Sequence, residues 1–152
     1  MKQKFIDAHM KVAEVYAELS SARRLHVGAI IVKNDRIISI GYNGMPAGWD
    51  NNCEDVHYTS PWNSEHTDSV NATHTLKTKP EVLHAETNAI AKLARSTESG
   101  LDATLFVTHA PCLDCAKLVY QSGINSVFYR NSYRSEDGIH FLEKAGVKVE
   151  KI

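Results

Sequence analysis

His84-Ala85-Glu86 and Pro111-Cys112-Leu113-Asp114-Cys115 hold the residue types that bind a transition metal and move protons. Cys112 and Cys115 stand at i and i+3 where a helix is expected to begin, which puts both sulfurs on one face. A helix N-terminus carries partial positive charge and unpaired N–H groups, and both favour thiolates. His84 opens a second expected helix. Two helix starts facing each other bring one imidazole and two thiolates to a point. Three ligands of N and S type suit zinc and leave the fourth tetrahedral position for water. Zinc lowers the pKa of a water held there to about 7. Glu86 is acidic, lies beside the ligand His84 and is not itself needed as a ligand. Its natural role is proton shuttle, from that water to a substrate.

Plainer readings of the same residues stand beside this one. Cys-x-x-Cys alone fits a redox pair or half of a structural zinc site. A redox pair usually follows the first strand of its fold, whereas this one comes late in the chain. A zinc-stapled binding module needs a fourth protein ligand, which Cys53 or His74 could supply, and it leaves no open position. A lone His84 would be ordinary polar surface.

The elements that must position these residues follow from periodicity. Phe5, Ile6, His9, Val12, Ala13, Tyr16 and Leu19 recur at helical spacing, and Ser20-Ser21 ends that helix. Val27–Val32 and Arg36–Ile40 are β-branched runs joined by Asn34-Asp35, a hairpin signature. The first run is apolar throughout and is expected to be the more central strand. Helical spacing returns from His84 to Arg95. Thr104–Thr108 reads as a strand, and Pro111 opens a helix that reaches Ser122, with Gly123 at the place of a C-terminal glycine. Ser126–Tyr129 is a strand, Gly138–Lys144 a short helix and Val147–Val149 an edge strand. Strand–helix–strand alternation after residue 100 implies parallel pairing. The expected fold is α/β, three layers α-β-α, with a mixed five-stranded sheet packed by helices on both faces. Met45 to Pro80 shows little periodicity and holds Trp49, Cys53, His57, Trp62, His66 and His74. It reads as a loop insertion over the active-site face, inside one domain spanning 1–152.

Composition narrows the class. The 152 residues suit one core, and 43% hydrophobic with 23% charged residues is ordinary globular usage, which excludes disorder and collagen-like repeats. The net charge of −1 gives no basic excess for gripping a nucleic-acid backbone, so no nucleic-acid partner is expected. Three cysteines are too few and too odd for a disulfide framework and point to a reducing compartment, the cytoplasm. No apolar run approaches the roughly 20 residues that span a bilayer, and the first residues lack a secretory signal. No membrane partner is expected.

His-x-Glu, then a strand, then Pro-Cys-x-x-Cys opening a helix resembles the pattern of zinc nucleobase deaminases. The zinc pattern alone would also fit cytidine, cytosine, riboflavin-pathway and transfer-RNA deaminases. Over nearly its whole length the chain resembles the deoxycytidylate deaminase family. The matching pieces are Val27–Val32, Gly41-Tyr42-Asn43-Gly44-Met45-Pro46, His84–Ile90, Thr108-His109-Ala110-Pro111-Cys112-Leu113-Asp114-Cys115, and Gly123-Ile124 before a strand. Gly-Tyr-Asn-Gly is the most specific of these for the nucleotide-monophosphate branch.

The resemblance implies a cytidine-deaminase-like fold and hydrolysis of deoxycytidine monophosphate (dCMP) to dUMP and ammonia, which supplies a thymidylate precursor. It implies catalytic zinc on His84, Cys112 and Cys115, with Glu86 serving the ring nitrogen and the leaving amine. Asn43 would bind the sugar, the Ala85 backbone N–H would contact the base carbonyl, and carbonyls from Thr108 to Ala110 would accept from the amine. Tyr133 is expected at the nucleotide. Arg23 and Ser21, just before the first strand, are candidate phosphate donors, since a guanidinium fork suits a phosphate. Many members are hexamers, activated by dCTP and inhibited by dTTP, often with Mg2+. Gly41, Tyr42, Asn43 and Gly44 are implicated in that regulatory site, where two glycines admit close approach of a ligand. The other reading of the same four residues is a tight turn ending the second strand. For a viral member the compartment would be the host cytoplasm. Some phage members bind a second, structural zinc in the insertion. Cys53 and His74 could match two of its ligands, but Ser20 or Ser21 and Val82 stand where a cysteine and a histidine would be expected. A deaminase of another cytosine or adenine substrate is the alternative enzyme.

Overall fold

A computed structural model describes residues 1–59 and 73–152. The expected sheet is present, in the order β2-β1-β5-β6-β7. Its strands are β1 (Gly28–Lys33), β2 (Arg36–Tyr42), β5 (Thr104–His109), β6 (Ser126–Asn131) and β7 (Lys148–Lys151). β1 pairs antiparallel with β2 and with β5, so the more apolar run lies inside the sheet. β5, β6 and β7 pair in parallel. Asn34 and Asp35 join β1 to β2 with φ of 51° and 57°. That left-handed pair matches the right-handed twist of a tight hairpin.

The strand period of two sorts side chains between the layers. Ile30, Val32, Phe106 and Phe128 face α1 (Gln3–Ala17) and pack on Ile6, Met10 and Ala13. Phe106 and Phe128 stack with centroids 5.1 Å apart. Ala29, Ile31, Leu105, Val107 and Val127 face the other way. There they meet α2 (Ala85–Ala94), α3 (Leu113–Gln121) and α4 (Asp137–Lys144) through Ala89, Leu93, Ala116, Val119 and Leu142. The βαβ units β5-α3-β6 and β6-α4-β7 thus place both crossover helices on the face that already holds α2. Gly123 ends α3 with φ of +86°, the left-handed geometry that terminates a helix.

Two expectations need correction. Pro111 does not open α3, because Cys112 is its N-cap and Leu113 its first residue. Residues 45–80 are not loop throughout: β3 (Glu54–Thr59) and β4 (Thr73–Thr78) form a separate two-stranded antiparallel ribbon. Asp55, Val56, His57 and Tyr58 are all exposed, so neither face of β3 shows the apolar alternation that marks a half-buried strand. Trp62 and His66 lie outside the described residues. Among the described residues, no helix is long and apolar enough to cross a membrane.

Candidate active site

The ends of α2 and α3 are built alike. His84 is the N-cap of α2, and its carbonyl accepts from the Asn88 N–H at 2.9 Å. Cys112 is the N-cap of α3, and its carbonyl accepts from the Ala116 N–H at 2.9 Å. Each side chain therefore projects from a helix start, the positive end of the helix dipole. Cys115 follows in the first turn of α3 and is buried.

His84 Nδ1 lies 3.6 Å from Cys112 Sγ and 3.3 Å from Cys115 Sγ. All three donor atoms fall within 4.8 Å of one another. A tetrahedral ion with ordinary Zn–S and Zn–N bonds sets N and S about 3.6 Å apart, so this donor set fits zinc. Among the described residues it is the one group of three or more potential metal donors. The three share protons. The Cys112 thiol is held down at about 4 by hydrogen bonds from Cys115 and His84, while the Cys115 thiol is pushed up because it donates to Cys112 and is buried. His84 is raised, chiefly by its hydrogen bond to Cys112. A dication bound there displaces such protons.

Glu86 sits in the first turn of α2 and is only 4% exposed. Burial pushes its carboxyl up to about 7, against the opposing pull of a backbone N–H hydrogen bond and of His84. A carboxyl poised near neutrality both takes and gives a proton, which is what general acid–base work requires.

His84, Cys112 and Glu86 line one cavity of about 270 Å³. Asn43, Ala85, Ala110 and Tyr133, expected at a nucleotide, line it as well. The Asn43 amide also braces the entry to β1: it accepts from the Val27 N–H at 2.8 Å and donates to the Leu25 carbonyl at 2.8 Å.

Other expected contacts stand elsewhere. Ser21, Arg23 and Thr108 do not line the cavity. The Ser21 hydroxyl faces Cys53 Sγ at 3.6 Å. Arg23 is held by Glu54, through its backbone N–H at 2.8 Å and its Nε at 3.4 Å. The Thr108 carbonyl already accepts from Asn131 Nδ2 at 2.9 Å. Gly41, Tyr42 and Gly44 also lie outside the lining. Gly41 packs beneath α2, and Gly44 bridges to Leu83. Cys53 is buried against Ser21 and the Asn51 carbonyl, and His74 is exposed on β4, so neither joins a second donor cluster among the described residues.

The cavity adds residues that spacing did not single out: Arg24, Glu54, Thr78, His109 and Arg134. Arg24 and Arg134 adjoin Arg23 and Tyr133, which the sequence did point to. Glu54 and Thr78 are invisible as wall residues until the ribbon is paired. Arg24 and Arg134 line the same cavity as Glu86 and two of the metal donors, His84 and Cys112.

The sequence profile described as "Cytidine and deoxycytidylate deaminase zinc-binding region" matches residues 3–131. The deoxycytidylate deaminase of Enterobacteria phage T4 is 33% identical over 165 residues, covering 92% of this chain and 86% of that protein. The human deoxycytidylate deaminase is 38% identical over 131 residues, covering 84% of this chain and 66% of that one. Among solved structures, the dCMP deaminase from the cyanophage S-TIM5, in complex with dCMP and dUMP, superposes with a TM-score of 0.83 at 43% identity. That alignment covers 100% of this chain and 99% of that one. With a family match that takes in most of its length and these relatives beside it, the chain belongs to the cytidine and deoxycytidylate deaminase family.

Proposed function

We propose that the protein hydrolyses dCMP to dUMP and ammonia, as a single catalytic domain spanning 1–152. The observation that carries this reading is the buried Glu86 beside the His84–Cys112–Cys115 donor set, in a cavity that also presents arginines. Zinc held by those three side chains supplies the Lewis acidity that activates water. Glu86 takes a proton from the attacking water and passes protons to the ring nitrogen and the departing amine. The C–N bond to the exocyclic amine breaks, a C–O bond replaces it, and ammonia leaves. Ala85 presents its backbone N–H to the base carbonyl, the Ala110 carbonyl accepts from the amine, and Asn43 and Tyr133 border the sugar. Arg24 and Arg134 take the phosphate, in place of Arg23 and Ser21, because they line the cavity and Arg23 is already engaged by Glu54. The relatives named above, deoxycytidylate deaminases across nearly the whole chain, support the substrate.

Turnover measured with dCMP, CMP, deoxycytidine and dCTP tests the assignment. Preference for dCMP is expected; preference for CMP, deoxycytidine or dCTP would overturn it.

The finer reading adds a homo-hexamer in the cytoplasm, activated by dCTP with Mg2+ and inhibited by dTTP through the Gly41–Gly44 segment, with Tyr42, Asn43 and Gly44 facing the ligand, since Gly41 is packed against α2. The family resemblance supports it. So does open space around Gly44, where an added Cβ would meet nothing within 4 Å. Three free cysteines suit a reducing compartment. Sedimentation and dCMP turnover with each triphosphate added test it. A monomer, or turnover indifferent to both nucleotides, would reject it.

A further inference from the structure

Two consecutive arginines precede β1, and the ribbon holds them in different ways. Glu54 is 1% exposed and accepts from the backbone N–H of Arg23 at 2.8 Å and of Arg24 at 3.2 Å, both on Oε1. Its Oε2 faces Arg23 Nε at 3.4 Å, and its carbonyl accepts from Arg23 Nη2 at 3.2 Å. The buried carboxylate thus accepts three hydrogen bonds and is paired with the Arg23 guanidinium, as a buried charge requires. The Arg23 guanidinium is consumed in doing so. Glu54 pairs across the ribbon with Thr78, the first rung of β3 on β4. The Thr78 hydroxyl accepts from Arg24 Nη1 at 3.2 Å. Glu54, Thr78 and Arg24 all line the cavity, whereas Arg23 does not.

We propose that the Glu54–Thr78 rung of the ribbon is a positioning element that sets the Arg24 guanidinium at the anionic end of the nucleotide. Glu54 fixes the backbone of the turn and removes Arg23 from competition. Thr78 fixes the outer end of Arg24. An exposed arginine left to itself samples many rotamers, and ordering it on each binding event weakens binding. The rung orders it beforehand. The proposal rests on the reading that Arg24 meets the phosphate, and it says why a segment with no stake in the chemistry lines the cavity.

The test compares kcat/KM for dCMP with kcat/KM for deoxycytidine, which lacks the phosphate. The variants are Arg24→Met, Glu54→Met, Thr78→Val and the Arg24→Met/Thr78→Val pair, each checked for zinc content and melting. Arg24→Met should lower the dCMP-to-deoxycytidine ratio by about tenfold or more, the scale of one charge-assisted contact. Glu54→Met and Thr78→Val should lower it in the same direction through KM for dCMP, with zinc retained. Thr78→Val should add nothing once Arg24 is already methionine. An unchanged ratio in Thr78→Val and Glu54→Met, beside a reduced ratio in Arg24→Met, would overturn the positioning role and leave the phosphate reading standing. An unchanged ratio in Arg24→Met would sink the phosphate reading itself, and the rung's role with it. If Glu54→Met does not fold, Thr78→Val decides alone, since it removes one hydroxyl contact on the cavity wall.

Discussion

Gly41 on β2 lies so close to Ala85 on α2 that a Cβ added to it would sit 2.1 Å from the Ala85 carbonyl oxygen. It would also meet the Ala89 backbone nitrogen at 2.6 Å. Backbone atoms cannot swing aside as a side chain can, so α2 itself would have to move. Asn88 and Ser39 tie the same two elements, with Asn88 Nδ2 donating to the Tyr42 carbonyl at 3.0 Å and Ser39 Oγ to the Ala89 carbonyl at 2.6 Å.

Gly41→Ala is therefore expected to destabilise the fold by about 1–3 kcal/mol, the usual scale of overpacking. It should also lower activity, because α2 carries His84 at its start and Glu86 in its first turn. Thermal melting and zinc content together check this. A melting temperature equal to the parent's would mean that the helix is not clamped as described.

Glu86→Gln keeps the size and polarity of the side chain but cannot carry a proton in the same way. The variant should hold one zinc per chain, melt near the parent, and lose about 10²–10⁴-fold in kcat. Atomic emission and steady-state turnover measure both. Parental turnover would remove Glu86 from the chemistry.

Cys112→Ala deletes one of three donors at the N-cap of α3. Zinc content should fall well below one per chain and melting should fall with it, because metal binding and folding are coupled. Treating the parent with a chelator should abolish turnover, and added zinc should restore it. Full activity in chelator-treated protein with no measurable metal would contradict the donor assignment.

His9 predicts how stability responds to acid. Its Nε2 is buried without a partner among the described residues, and the ring packs 5.2 Å from Phe106. Burial lowers its pKa, against a weaker raising effect of Asp35. At pH above its ordinary value of 6.5 the ring is neutral in both folded and unfolded chains, and no penalty arises. Below that value the unfolded chain binds the proton more readily, so His9 costs stability increasingly as pH falls toward the folded pKa. His9→Phe should therefore lose less stability than the parent between about pH 7.5 and 5.5 in urea unfolding. Parallel losses in the two proteins would remove His9 from the acid response.

Much of this architecture was legible before folding because burial imposes a period. β1 is buried through five successive residues, α2 repeats its apolar positions at Ala85, Ala89 and Leu93, and the hairpin turn is written in Asn34-Asp35. The donor set was legible because zinc chemistry restricts both ligand type and spacing. The ribbon was not, since Asp55 to Tyr58 are exposed on both faces and bear no pattern that burial would impose. Nor was the choice between Arg23 and Arg24. It depends on a carboxylate 30 or more residues away in the chain, which only the fold brings beside them.

The ribbon belongs to no ladder of the five-stranded sheet. Substitutions at its exposed positions, Asp55 to Tyr58, would break none of the main sheet's hydrogen bonds. On the proposed function, the rung that positions Arg24 thus lies outside the ladders on which the helix starts are packed. The wall beside Arg24 can change in sequence without rewriting the strand pairing beneath His84 and Cys112.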